Sequence, residues 1–196
     1  MFEERLAQFS RDRLDGRPVP DDVRIMLVAQ WEARTDFSEL LGVTFLEPGQ
    51  LSPLLDVSYL SEAELADPEM QAVNAGAAEM ATYVKIVAEA GKGWIGYWVH
   101  PDEPADRPWP LVELDTEFSY WSMMGSTLAE ACAADQVRHD PDRRIAFSRL
   151  ADRLAELGLP LGVRDYDALP DGEFTVDPDE LTEELIDAER VKRGLA

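Results

Sequence analysis

Side chains able to do covalent or proton-transfer chemistry are scarce in this chain of 196 residues. Its histidines are His100 and His139, and its one thiol is Cys132. Nucleophilic catalysis needs a nucleophile, a base and an orienting acid. Cys132 follows Leu128 by four positions on the apolar face of an expected helix, which predicts a packed thiol. His100 ends an expected strand beside Asp102 and Glu103, a surface setting that favours its cation. No Cys/His pair has the spacing of zinc ligands. Asp165-Tyr166-Asp167 opens like a calcium loop, but Leu169, Pro170 and Val176 then occupy positions that need an oxygen ligand, a glycine and a glutamate. Gly91-Lys92-Gly93 is too short to cradle a phosphate and suits a hairpin turn. Glu113, Asp115 and Glu117 alternate along one expected strand, so their carboxylates would share a face, the arrangement of a divalent-ion site or an acid–base pair. With no histidine or lysine in the pattern, a solvated or partner-facing sheet surface is the simpler account. The expectation is a protein that is not an enzyme and holds no cofactor and no metal.

Charge narrows the partners. There are 40 acidic and 18 basic residues, for a net charge of −22. Nucleic acid and anionic lipid both need clustered Lys and Arg, so neither is expected as a partner. Residues 56–135 hold 15 acids and 3 bases, a net −12, and residues 165–196 hold 11 acids and 3 bases, a net −8. Between them, 136–164 holds 4 acids and 6 bases, a net +2. The acidic stretches are either solvated faces or a surface that meets a basic partner, since a field of one sign speeds encounter with its opposite. No apolar run reaches the ~18 residues of a membrane span. The acidic start, Phe2-Glu3-Glu4, lacks the apolar stretch of a signal peptide, so a cytoplasmic location is expected.

The elements that must position these residues follow from periodicity. Phe2, Leu6 and Phe9 form a helical stripe, and a second carries Val23, Met26, Leu27 and Trp31. Phe37 to Tyr59 reads as short elements and loops. Asp67-Pro68, Asp140-Pro141 and Asp177-Pro178 each pair an N-cap residue with a proline at the first helical position, which predicts three helix starts. From Thr82 to Val99 the period becomes two on either side of Gly91-Lys92-Gly93, the pattern of a hairpin. Leu111–Asp115 and Phe118–Trp121 read as third and fourth strands, and Thr127-Leu128-Ala129-Glu130 as a capping box opening a short helix. The expected fold class is α+β, a single central, mostly antiparallel sheet flanked by helices. The expected division is an α+β domain over 1–135 and a helical, acidic extension over 136–196, packed on it or appended to it.

The run Gly93-Trp94-Ile95-Gly96-Tyr97-Trp98-Val99, the proline-rich loop, then Pro110-Leu111-Val112-Glu113-Leu114-Asp115-Thr116-Glu117 and Gly125-Ser126-Thr127-Leu128-Ala129-Glu130 together resemble the SUKH superfamily. That superfamily includes fungal cell-wall-assembly regulators, Syd-like proteins and bacterial immunity proteins. Phe118 stands where the family usually has glycine. The resemblance covers about residues 60–134 and implies binding as the activity. Many bacterial members are thought to neutralise toxins, nucleases and deaminases among them, by direct contact.

The leading expectation is therefore an immunity protein that covers a basic toxin with an acidic surface. Asp102, Glu103, Asp106, Glu113, Asp115 and Glu117 are the expected acidic contacts, and Trp109, Tyr120 and Trp121 the aromatic anchors. Trp109, between Pro108 and Pro110, is expected to be the most exposed of the three. The alternatives are a scaffold that recruits a partner through residues 165–196, and a hydrolase that holds a metal with Glu113, Asp115 and Glu117.

Overall fold

The computed structural model describes residues 2–91 and 93–195. Lys92, in the expected hairpin turn, lies outside the described residues. The protein is α+β. Helices α1 (Phe2–Leu14), α2 (Asp21–Trp31) and α3 (Asp36–Leu41) lead into strand β1 (Val43–Phe45). A 3-10 turn at Pro53–Leu55 and helices α4 (Glu62–Ala66) and α5 (Pro68–Met80) follow. Then come β2 (Val84–Ala90), β3 (Gly93–Trp98), β4 (Leu111–Leu114) and β5 (Tyr120–Ser122). Helices α6 (Leu128–Val137), α7 (Arg143–Glu156) and α8 (Pro178–Arg193) complete the chain. The five strands pair in chain order, every neighbour antiparallel.

Alternation along the strands divides the apolar residues between two cores, one on each face of the sheet. Ile95, Tyr97 and Leu111 join Phe9, Leu27, Phe37, Cys132, Phe147 and Leu154. Val84, Ile86, Trp98, Val112, Leu114 and Tyr120 join Met80 from α5, with Leu181 and Leu185 from α8 packed against them. The β2–β3 register slips between Ile86 and Ala88, a bulge that turns Val87 and Ala88 toward the first core. Gly96 sits opposite this irregularity, and a Cβ there would lie 2.5 Å from the Lys85 carbonyl oxygen. The β1 edge is closed by Gln30, whose side chain donates to the Phe45 carbonyl at 2.9 Å and accepts from its amide at 2.8 Å.

Residues 136–196 share both cores. Phe147 and Leu154 enter the first, while α8 lies along α5 closely enough that a Cβ on Gly76 would be 2.6 Å from Ile186. Arg190 pairs with Glu69 at 2.9 Å, and Arg193 donates to Gln71 at 3.0 Å.

Local start signals held where side chains could reach the first amides. Asp67 accepts from the Glu69 amide at 2.9 Å, and Asp177 from those of Asp179 and Glu180 at 2.9 and 3.2 Å. At Asp140-Pro141 the helix starts later than expected. Asp140 turns the chain by accepting from the Asp142 amide, and α7 begins only at Arg143. The expected capping box at Thr127 is half formed. Thr127 accepts from the Glu130 amide at 3.2 Å, but Glu130 does not return the bond to Thr127. Among the described residues, no helix is long and apolar enough to cross a membrane.

Candidate functional site

The β4–β5 hairpin and the loops beside it hold most of the residues expected to meet a partner, in three different environments. Glu113 pairs with Trp121 across the ladder. Its carboxylate stands 3.9 Å from Arg138 at the end of α6, and Arg138 also pairs with Asp135 at 3.0 Å. Burial pushes the Glu113 carboxyl up, Asp135 adds to this, and Arg138 opposes it. These residues and Trp121 line a cavity of about 280 Å³. Trp121 is 48% exposed, so it is available as an anchor.

The expected row of three carboxylates on one strand face does not form. Strand β4 ends at Leu114, because Asp115 bends back to accept from the amides of Glu117 and Ser119 at 2.8 and 3.1 Å. Phe118 completes this turn with φ of +61°. Glu117 is exposed in the turn, away from Glu113. Among the described residues, no group of three or more His, Cys, Asp or Glu side chains is placed to hold a metal ion.

Two expected aromatic anchors are packed inward. Tyr120 is 5% exposed in the second core, where burial pushes its hydroxyl up to about 12. It faces inward because it shares the pleat with Leu114, its partner in the ladder. Trp109 is partly buried, edge-on to Tyr97, with the Arg17 guanidinium 4.1 Å above its ring. The Trp98 amide donates to the Pro110 carbonyl at 2.8 Å, which holds this end of the loop against the sheet.

The proline-rich loop is pinned by Glu103. Its carboxylate accepts from the Trp98 indole at 3.0 Å, from the Thr175 amide at 2.7 Å and from the Thr175 hydroxyl at 3.1 Å. Glu103 thus holds the loop to the segment before α8 and is not free to meet a partner. Asp102 and Asp106 are exposed on the same loop. The loop borders a cavity of about 480 Å³, with Trp109 on one side and residues 170–175 on the other.

What sequence reasoning missed is the convergence of the two acidic stretches. The amide of Tyr120 donates to Asp179 at 3.1 Å, which places the first turn of α8 on the free edge of β5. The Asp179 carboxyl is pushed up by burial and by Asp177, Asp115 and Glu183, against the Tyr120 amide. Among the described residues, none of these four carboxylates forms an ion pair. The Asp177-Pro178 signal announces a helix start but carries no information about where that start docks. Cys132 is fully enclosed, and burial pushes its thiol far up, which leaves it unreactive.

Fold and surface together define an α+β protein with helices on both faces of an antiparallel sheet and an acidic rim along one edge. Comparison with protein-family models, curated proteins and solved structures gives no significant match.

Proposed function

We propose that this protein is a non-enzymatic binding module that docks a basic protein partner on the acidic rim of β5. In its specific form the partner is a toxin of the nuclease or deaminase type and the protein its immunity factor, as the SUKH resemblance implies. The observation that carries the docking reading is the gathering of Asp115, Asp177, Asp179 and Glu183, none of which forms an ion pair among the described residues. Like charges held together raise the energy of the free protein, and a basic partner relieves that repulsion on binding. Exposed Trp121 on the same edge supplies the large apolar contact that interfaces concentrate at their centres. The left-handed backbone at Phe118, where SUKH proteins usually carry glycine, is in keeping with the resemblance. The scaffold reading is less well supported, because Tyr166 and Leu169 lie in the first core and Phe174, Val176, Leu181 and Leu185 pack against the second, so residues 165–196 are not a free tail.

The test is binding to purified products of the genes adjacent to its own, followed by interferometry at rising salt. The expected result is a complex whose association rate falls about tenfold or more between low and physiological ionic strength. Asp177→Lys and Glu183→Lys should slow association, while Glu62→Lys on α4 should not. If none of these products binds, or if binding ignores both salt and the rim substitutions, the reading fails.

A further inference from the structure

A second site lies apart from the rim, where α2 and the proline-rich loop meet the start of α6. It is a cavity of about 220 Å³ whose walls include Asp22, Tyr97, Trp109, Ser126 and Thr127. Ligand pockets for drug-sized molecules run from about 300 Å³ upward, so this one suits a small head group.

Its polar groups are incompletely answered. Tyr97 is 6% exposed, and its hydroxyl is buried with no hydrogen-bond partner. A buried hydroxyl without a partner is uncommon in folded proteins and calls for one. Asp22 accepts from the Ala129 amide at 3.0 Å, yet among the described residues it forms no ion pair. Burial pushes its carboxyl up, against the backbone amides around it. The Trp109 ring already receives a cation, since the Arg17 guanidinium lies 4.1 Å from its centre. Arg17 itself is exposed, so the contact is weak and easily displaced.

The chemistry of a ligand follows by elimination. An anion would meet the Asp22 carboxylate. A purely apolar molecule would leave the Tyr97 hydroxyl without a partner and the Asp22 charge without a counter-ion. A small cation with N–H donors answers both, and its charge is welcome against an indole face. We propose that this cavity binds a small organic cation, an alkylammonium or guanidinium head group, between Asp22, Tyr97 and Trp109. The cation is either a free amine or the tip of a lysine or arginine on another protein. The site stands independently of the acidic rim, because a free amine needs no partner protein.

The test is titration of the intact protein with n-butylammonium and with methylguanidinium, with n-butanol as the neutral control of the same shape. Binding is followed by calorimetry and by the indole N–H resonance of Trp109. The expected result is saturable binding of at least one cation at about millimolar concentration, with no comparable binding of n-butanol. Asp22→Asn should weaken it about tenfold, and Tyr97→Phe several-fold. Arg17→Ala should tighten it by removing the competing guanidinium, an effect opposite to that of general damage. Glu62→Gln on α4, which does not line the cavity, should leave it unchanged. If Asp22→Asn fails to fold, Arg17→Ala and Tyr97→Phe still decide the matter. Absence of saturable binding by both cations would overturn the proposal, as would equal binding of n-butanol or equal weakening by Glu62→Gln. A short peptide presenting one central lysine separates the two sources. Binding as tight as that of n-butylammonium supports a protein side chain, and much weaker binding supports a free amine.

Discussion

The heads of α6 and α8 both carry acidic residues in the first turn and use them in opposite ways. At α6, Glu130 turns inward and is 2% exposed. Its carboxylate accepts from the amides of Ser126, Gly162 and Val163 at 2.9, 3.0 and 3.2 Å. Three backbone donors, one from the turn before its own helix and two from the distant loop at Gly162 and Val163, converge on one anion, so its charge fastens the chain. At α8, Asp179 accepts from a single amide, that of Tyr120, and the charged groups that act on it are the carboxylates of Asp177, Asp115 and Glu183. Stabilisation by an acidic residue depends on whether donors come to it. Where they do, the residue is structural. Where like charges come instead, the cost is left for a partner to relieve.

Substitutions at the two helix heads should therefore differ in size and in sign. The largest effect is expected at Glu130. Glu130→Ala leaves three amides without their acceptor and should cost about 3 kcal/mol or more, since hydrogen bonds to charged groups contribute about 1.5–3 kcal/mol each. In a chain of this size that corresponds to a fall in melting temperature of about 6–12 °C. Glu130→Gln retains acceptors for Gly162 and Val163 but presents a donor to Ser126, so it should lose less. An unchanged melting temperature in Glu130→Ala would erase the distinction between the two helix heads.

A middle-sized effect is expected at Asp177, whose side chain caps the amides of Asp179 and Glu180. Asp177→Ala should cost about 1 kcal/mol, or about 2–4 °C by calorimetry, because losing the cap outweighs relief of repulsion.

The smallest effect should carry the opposite sign. Asp179→Asn keeps an acceptor for the Tyr120 amide and removes a charge from the cluster. Because the folded protein holds the Asp179 carboxyl above its usual value, folding favours its protonated form. The unfavourable contribution is absent below the unfolded value and grows as pH rises through the folded value. Asp179→Asn should therefore stabilise the protein at neutral pH by a few tenths of a kcal/mol after screening, and by nothing in acid. Denaturant melts at neutral and acidic pH measure this directly. A destabilised variant at neutral pH would mean that Asp179 serves the fold as Glu130 does.

Much of the fold was legible because its signals are local. The β2–β3 hairpin followed from period-two alternation, and the starts of α5 and α8 from Asp-Pro pairs whose side chains reach amides two residues on. The burial of Cys132 followed from its place on an apolar helix face. The site was legible only in part. Asp102, Asp106, Glu117 and Trp121 are exposed as expected. Glu103 and Tyr120 are committed to the interior, and Trp109 is held between Tyr97 and Arg17. Alternation states that neighbouring residues point opposite ways. It does not state which way is outward when both faces of a sheet are covered, and here both are. Nor does it say where a strand stops, which at Asp115 depended on a side chain capturing two amides.

By itself, the sequence determined the α+β class, the caps of α5 and α8, the hairpin and two stretches of net negative charge. Each depends on residues a few positions apart, within reach of one turn or one pleat. Only the tertiary structure decided that the two acidic stretches meet, with Asp179 bonded to the Tyr120 amide at the edge of β5 and within electrostatic reach of Asp115. It alone placed Glu130 among amides from residues 162 and 163, and left the Tyr97 hydroxyl unanswered beside Asp22. Coulombic interaction and desolvation depend on separation in space, and packing, not sequence distance, sets that separation.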